Sequence, residues 1–480
     1  MQLNKGLQIF LVGLILILGF VVRLYRFGNP IADWHSWRQA DTSAVSRNFV
    51  NNGFDLLHPR FDDLSNVASG LDNPQGYRFV EFPIYNVFQA GSFLLFGVLT
   101  LEEWGRIITI LASCLSILFI YLIVKKHSDN LSALIASFFF AFLPFSIYYG
   151  RTILPDESMV AAILGGIYFF DVWLDSKLKI YDFRFIFSLI FTAAAFLLKP
   201  YALFFAIPIV YLAFDKFKFS AFKKWYLWLF LILSVIPLVL WRVWMTQYPE
   251  GIPASAWLFN GGNIRFTGAF FYWIFADRMG RLILGFWGLF IFGLGFLKKL
   301  SKKDLWFFLS FLFSSLVYVF VIARGNVQHD YYQILIIPTL SIYLGLGGSY
   351  LILRKDSSRI ISSILFAVSV IFCLSFGWYY VRDYFNIDNN SIIVAGQAVD
   401  SITSKDAKVI ANYNGDTSFL YQTKRKGWAS FEKPLPEMVQ MGADYLVLVN
   451  PTTQDLGISK DYKVIALTKD YVIFDLHQQQ

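Results

Sequence analysis

Apolar runs of roughly 15–22 residues recur through most of the chain, and short clusters of Lys and Arg punctuate them. Backbone polar groups in hydrocarbon must be satisfied internally, so this pattern selects a helical bundle that crosses a membrane many times. Soluble domains carry about 25% charged residues. Here the share is 15%, against 56% hydrophobic. The expected fold class is therefore mostly α, a polytopic transmembrane helical domain.

The net charge of +8 does not imply a nucleic-acid partner, because the Lys and Arg sit between apolar runs rather than along one basic face. They read as topology signals. Lys125-Lys126, Lys177 to Arg184, Lys216 to Lys224, Lys298 to Lys303 and Arg354 to Arg359 are the densest clusters. If all five are cytoplasmic, an even number of spans separates each from the next. Spans near 105–124, 131–149, 157–174, 185–198, 201–214, 225–241, 282–297, 305–323, 334–353 and 360–379 satisfy that condition. With a first helix near 7–22 the total is about eleven. The amino terminus is then cytoplasmic, and the long stretch 23–104 lies outside. Pro83 to Thr100 is apolar but short and contains Asn86 and Gln89, which suits a juxtamembrane or re-entrant helix. The stretch 42–52, with Arg47 among apolar positions, reads as a second.

After residue 384 the pattern changes. Lys408 to Asn412, Asp444 to Val449, Tyr462 to Leu467 and Tyr471 to Phe474 read as strands, with helical patterns at Val394 to Ile402 and Pro436 to Met441. The expected division is a transmembrane domain over 1–384 and a small extracytoplasmic α/β domain over 385–480.

Several polar residues are not explained as topology signals, and charge parity places them on the outer side. Asp33, His35, Arg38 and Asp41 follow the first helix, and Glu81 precedes the juxtamembrane helix. Arg151, Asp156, Lys199, Arg324, His329, Asp330, Tyr331 and Tyr332 lie at the ends of later spans. Charge within a span is costly, so such residues suit a wet cavity. Asp33 and Asp41 are candidate general bases, since a base needs an ionised carboxylate within reach of an acceptor hydroxyl. Asp33 also suits a helix N-cap, and Asp41 an ion pair with Arg38 three residues earlier. Arg151 and Lys199 flank the same outer boundary and are candidates to hold a phosphate. Cys114 and Cys373 both fall inside apolar runs, which indicates neither a disulfide framework nor a thiolate metal site. No nucleotide-binding glycine loop, HExxH or G-x-S-x-G is present, and no cofactor or metal is expected.

Five motifs follow one another along this outer face: Arg23-Leu24-Tyr25-Arg26-Phe27-Gly28, Phe79-Val80-Glu81-Phe82-Pro83, Tyr149-Gly150-Arg151 leading to Pro155-Asp156, Leu198-Lys199-Pro200, and His329-Asp330-Tyr331-Tyr332 with Pro338 after it. In that order they resemble the integral-membrane glycosyltransferases of the GT-C class. Within that class they look like the bacterial relatives of the dolichyl-phosphate-mannose protein mannosyltransferases and of the aminoarabinose transferase acting on lipid A, glycosyltransferase family 39 or 83. The resemblance implies a polyprenyl-phosphate sugar donor whose phosphate is held by basic residues. It also implies an acidic residue in the first loop that deprotonates the acceptor, and inversion at the anomeric carbon. Members commonly carry an adjacent Asp-Glu pair in that loop, where this chain reads His35-Ser36 or Arg38-Gln39. The aminoarabinose transferases have Lys after the second-motif Glu, where this chain has Phe82, which argues against lipid A modification.

The expected function is transfer of a sugar from a lipid-phosphate carrier to an extracytoplasmic acceptor (protein, lipid or cell-envelope glycan) at the plasma membrane. Asp33, Asp41 and Glu81 are the catalytic candidates, and the choice of base between Asp33 and Asp41 is open. His35, Arg38, Arg151, Asp156, Lys199, Arg324, His329, Asp330, Tyr331 and Tyr332 are the substrate-binding candidates. Two other classes fit the composition: a transporter or flippase for a polyprenyl-linked glycan, and a non-catalytic membrane receptor. Transporters usually place ionisable groups near the bilayer midplane, whereas here they gather at one face.

Overall fold

The computed structural model describes residues 4–354 and 358–479. Lys355, Asp356 and Ser357, part of the fifth basic cluster, lie outside the described residues. The chain divides into two compact units. One, helical, comprises Met1–Phe27, Ile107–Trp241 and Ser255–Asp383. The other, mixed, comprises Gly28–Arg106, Arg242–Ala254 and Tyr384–Gln480. Most of the long outer stretch thus groups with the carboxy-terminal segment.

Among the described residues seven helices are long and apolar enough to cross a membrane, and a bent pair makes an eighth. The remaining expected spans are present as shorter or broken pieces, each with a local cause. The span near 131–149 is Asn130–Phe142 followed by Pro144–Tyr149, interrupted where Pro144 removes a backbone donor. The one near 201–214 begins as a tight turn over Pro200–Ala206 and becomes α-helical at Ile207–Phe217. The one near 282–297 is the bent pair Gly268–Ile283 and Gly288–Gly295, turned by 111°. Gly285 sits in that bend with φ +49, and a Cβ there would lie 2.4 Å from the Cys373 carbonyl oxygen. Phe183–Leu198 is a single helix of 16 residues.

The first helix, Lys5–Val22, is anchored by the residue that follows it. The Arg23 guanidinium is fully buried and donates to the Gly19 and Ala141 carbonyls at 2.9 Å and to Ser146 Oγ at 3.1 Å. A buried guanidinium is tolerated because several acceptors replace its water.

The mixed unit holds a five-stranded sheet. Its strands are β1 (Lys408–Ala411), β2 (Lys426–Trp428), β3 (Tyr445–Val449), β4 (Tyr462–Leu467) and β5 (Tyr471–Gln479), ordered β2-β1-β3-β5-β4. β1 runs parallel to β2 and β3, and β5 is antiparallel to β3 and β4. Side chains alternate across it, as a period of two requires. Ile410, Leu446 and Phe474 pack on one face with Leu64, while Val409, Val447 and Ile473 pack on the other with Phe419 and Val399. Four of the strands fall where the sequence pattern puts them. β2 was not expected, because three residues around a glycine give no alternation to detect.

β2 also ties in the outer stretch. Gly427 donates to the Asp62 carbonyl at 3.0 Å, and Leu64 donates to the Gly427 carbonyl at 2.7 Å. A Cβ at position 427 would lie 1.8 Å from the Val409 carbonyl oxygen, so no larger residue fits between strand and loop. Gly427→Ala should therefore cost at least the roughly 1–3 kcal/mol of an overpacked site. Thermal unfolding in detergent reads the loss, and proteolysis should reach the chain near Asp62 sooner.

Candidate functional site

In the mixed unit the candidates sit on or beside the helix Ser36–Asn52. This helix is buried along most of its length although it carries Arg38, Asp41, Thr42, Ser43, Ser46 and Asn48. Its stretch 42–52 is therefore not a membrane-surface helix, as the sequence had suggested. Its polar side chains bond to a neighbour instead. Asn86 Nδ2 donates to the Thr42 carbonyl at 2.6 Å, Gln89 Nε2 to Ser43 Oγ at 3.0 Å, and Ser46 Oγ to Gln89 Oε1 at 2.7 Å. Asn86 and Gln89 belong to Ile84–Phe96, whose opposite side exposes Phe88, Leu95 and Phe96. That helix has the polar-in, apolar-out character of one lying in a lipid surface.

The charged residues are paired, but not as their spacing suggests. Arg38 Nη2 donates to both Glu81 carboxylate oxygens, at 2.7 and 2.8 Å, and not to Asp41. Asp41 takes Arg78 Nη2 at 2.5 Å on one oxygen and the Thr417 hydroxyl at 2.7 Å on the other. All four charged groups are at least nine-tenths buried in their side chains, where unpaired charge would be prohibitive. A water-sized void lies among them. Asp33, 1% exposed, accepts from Gln39 Nε2 at 2.7 Å. It does not cap the helix; His35 occupies that position, with φ 55 and ψ 35 and no capping bond from its side chain. Arg78, Thr417 and Gln39 were not singled out from the sequence. Arg78, three residues before Glu81, was visible as a nearby charge, whereas nothing in the sequence joins Thr417 to Asp41.

Beneath Asp41 lies Asp63, held by the Ser65 amide at 3.1 Å and hydroxyl at 2.7 Å. Burial pushes its carboxyl up to about 6, and the nearby Asp41 charge pushes the same way, against the hydrogen bonds from Ser65.

In the helical unit a second cluster forms at the end of the helix Asp156–Leu174. Lys199 Nζ donates to Asp156 Oδ1 at 2.7 Å, with both side chains buried. The ammonium also lies 5.3 Å from the Tyr331 ring centre and 5.8 Å from that of Tyr332. Tyr149, in the motif with Arg151, donates its hydroxyl to Asp330 Oδ1 at 2.5 Å. Arg151 is buried and donates to the Arg26 carbonyl at 3.2 Å. His329 stacks on Tyr331, with ring centres 5.6 Å apart.

Arg324 differs from these. It follows the helix Lys302–Val321 and is half-buried against Gly261, yet makes no hydrogen bond or ion pair among the described residues. The same helix forms, with Ile207–Phe217, an apolar groove of about 570 Å³ lined by Val210, Phe214, Trp306, Leu309, Phe313 and Leu316. Two residues beyond Leu316, Tyr318 donates to the Tyr332 carbonyl at 3.1 Å, and Tyr201 packs against both rings. The groove thus leads through tyrosines towards Lys199. Among the described residues no His/Cys/Asp/Glu cluster is arranged to hold a metal ion.

Residues 78–244 match the family model of the dolichyl-phosphate-mannose-protein mannosyltransferases, a stretch that holds Glu81, Arg151, Asp156 and Lys199. No curated protein sequence matches the chain. Among solved structures it is similar to ArnT from Cupriavidus metallidurans bound to undecaprenyl phosphate, with a TM-score of 0.64, 13% identity and 98% of each chain covered. It is also similar to the oligosaccharyltransferase AglB from Archaeoglobus fulgidus in complex with an inhibitory peptide and a dolichol-phosphate. There the TM-score is 0.56 at 12% identity, over 91% of this chain and 69% of that one. The mycobacterial arabinofuranosyltransferase AftD gives 0.58 at 12% identity, over 99% of this chain and 42% of that one. At such identities the likeness is one of fold. The chain is a polytopic membrane protein with the fold of the GT-C glycosyltransferases.

Two outcomes follow from the buried charges. Glu81→Leu strands Arg38 and should cost about 3–5 kcal/mol, while Arg38→Leu with Glu81→Leu should cost less than the single change. A double-mutant cycle on unfolding in detergent measures the coupling. Asp63, with its folded value raised from 3.8 to about 6, contributes stability that is fully present below pH 3.8 and lost as pH rises through about 6. Asp63→Asn should remove that decline from the stability–pH curve.

Proposed function

We propose that this protein transfers a sugar from a polyprenyl-phosphate carrier to a hydroxyl acceptor on the extracytoplasmic side of the plasma membrane, inverting the anomeric carbon. The observation that carries this function is the succession of a lipid-facing apolar groove on the helix Lys302–Val321 and, on the next helix, Ala323–Gln328, an arginine that makes no hydrogen bond or ion pair among the described residues. A carrier of this class is an apolar chain ending in an anion. Its chain suits Phe214, Trp306 and Phe313, and its phosphate suits Arg324, whose planar fork matches phosphate oxygens. Lys199 supplies a second cation, shared with Asp156. The family match over residues 78–244 and the lipid phosphates in the ArnT and AglB structures support the same class of donor.

The roles divide by chemistry. Arg324, Lys199 and Arg151 neutralise the carrier phosphate as it departs, an electrostatic effect worth most where water is excluded. Asp156 keeps the Lys199 amine in place. His329, Asp330, Tyr331 and Tyr332 line the donor's sugar and phosphate. The acceptor meets the loop that carries Asp33, His35, Arg38, Asp41 and Glu81. Its hydroxyl oxygen bonds to the anomeric carbon, the bond from that carbon to the phosphate oxygen breaks, and the hydroxyl proton passes to a group on this loop. The amino terminus is cytoplasmic and the mixed unit extracytoplasmic, as the parity of basic clusters requires.

The test uses purified full-length protein and a panel of synthetic polyprenyl-phosphate sugars. Arg324→Ala and Lys199→Ala should each weaken polyprenyl-phosphate binding and transfer by about 10-fold or more, the worth of a charge-assisted hydrogen bond. Wild-type protein that transfers no sugar, together with unchanged polyprenyl-phosphate affinity in both variants, overturns this function.

A further inference from the structure

The loop's carboxylates are poorly placed to receive a proton. Asp41 and Glu81 each neutralise a buried arginine, so protonating either would leave Arg78 or Arg38 without its counter-charge. His35 is different in three respects. It is half-buried where Asp33, Arg38 and Asp41 are buried. Its backbone is left-handed, with φ 55 and ψ 35, a conformation that a residue with a Cβ seldom adopts. Acidic groups also flank it: Asp388 lies within electrostatic reach of both His35 and Asp33.

The ring's surroundings fix its place. Trp34 meets the imidazole edge-on at 5.0 Å and stacks on Tyr384 at 4.8 Å. The Trp34 amide donates to the Tyr384 carbonyl at 3.1 Å, and Trp34 is 39% exposed. The left-handed turn therefore presents an imidazole beside an open aromatic surface, while the helix behind it is sealed.

We propose that His35 is the catalytic residue that accepts the proton of the incoming hydroxyl, with Asp33 and Asp388 stabilising the imidazolium that results. This assignment rests on the glycosyl transfer proposed above. As the acceptor oxygen bonds to the anomeric carbon, the electron pair of the cleaved C–O bond leaves with the carrier phosphate. The hydroxyl proton goes to a ring nitrogen of His35 and from there to water. Asp41 and Glu81 are then positioning residues, which hold the helix that begins at His35.

The test must separate chemistry from folding, and the backbone supplies the means. Asn and Gly both tolerate the left-handed region, so His35→Asn and His35→Gly should melt with the wild type. Both should lose about 10²–10⁴-fold in kcat with little change in the KM for the donor, the usual worth of a positioned base. Added imidazole should restore transfer in His35→Gly and not in wild type. The acid limb of the wild-type rate profile, measured with Asp33, Asp388, Asp416 and Tyr384 intact, should be lost in His35→Asn. Wild-type transfer that persists at full rate in His35→Asn overturns the assignment alone. Wild-type protein inactive with every lipid-phosphate sugar overturns both it and the function it rests on.

Discussion

Two buried arginine–carboxylate pairs, Arg38 with Glu81 and Arg78 with Asp41, set the arrangement of the mixed unit. They cross-link the helix Ser36–Asn52 to the extended segment 78–81, and the Thr417 hydroxyl adds the carboxy-terminal part to the same carboxylate. Salt bridges this deep contribute little net stability compared with apolar packing, yet removing one member is expensive. Such pairs specify a register more than they strengthen it. Here the register places the turn at His35 and the sealed helix behind it.

Much of the helical unit was legible because hydrocarbon leaves a chain few choices. Apolar runs located the helical segments of the bundle. Where a run contained Pro144, Pro200 or Gly285, its position was right and its continuity was not, since the break depends on which neighbour satisfies the freed backbone groups. The carboxy-terminal strands were legible by their alternation, and β2 and the helix Thr417–Thr423 were not. Both are short, and they are held by partners more than three hundred residues away, such as Asp41 for Thr417.

The candidate site divides in the same manner. Charge at the ends of spans is unusual enough to single out Lys199, Asp156 and Arg324 from sequence alone. Pairing is another matter, because it depends on direction as well as spacing. Asp41 lies three residues from Arg38 and takes Arg78 instead, and Arg38 reaches across 43 positions to Glu81. The burial of Asn86 and Gln89 follows the same logic. Two amides that set 83–100 apart from a full span are the partners a polar helix needed.

The helix Lys302–Val321 shows why a lipid-linked donor suits this architecture. In the function proposed above, the apolar surface along Trp306 to Leu316 would hold an isoprenoid chain equally well before and after sugar transfer, so those contacts would raise affinity without selecting the transition state. Beyond Tyr318 the chain stays apolar through Val321, breaks at Ile322 and reaches Arg324 on the next helix, Ala323–Gln328. In that proposal, interactions there would strengthen as negative charge builds on the departing phosphate, and so would act on rate. Two consecutive helices, Lys302–Val321 and Ala323–Gln328, would thus divide retention of the carrier from stabilisation of its leaving group. Lengthening the carrier adds to the first and leaves the second unchanged.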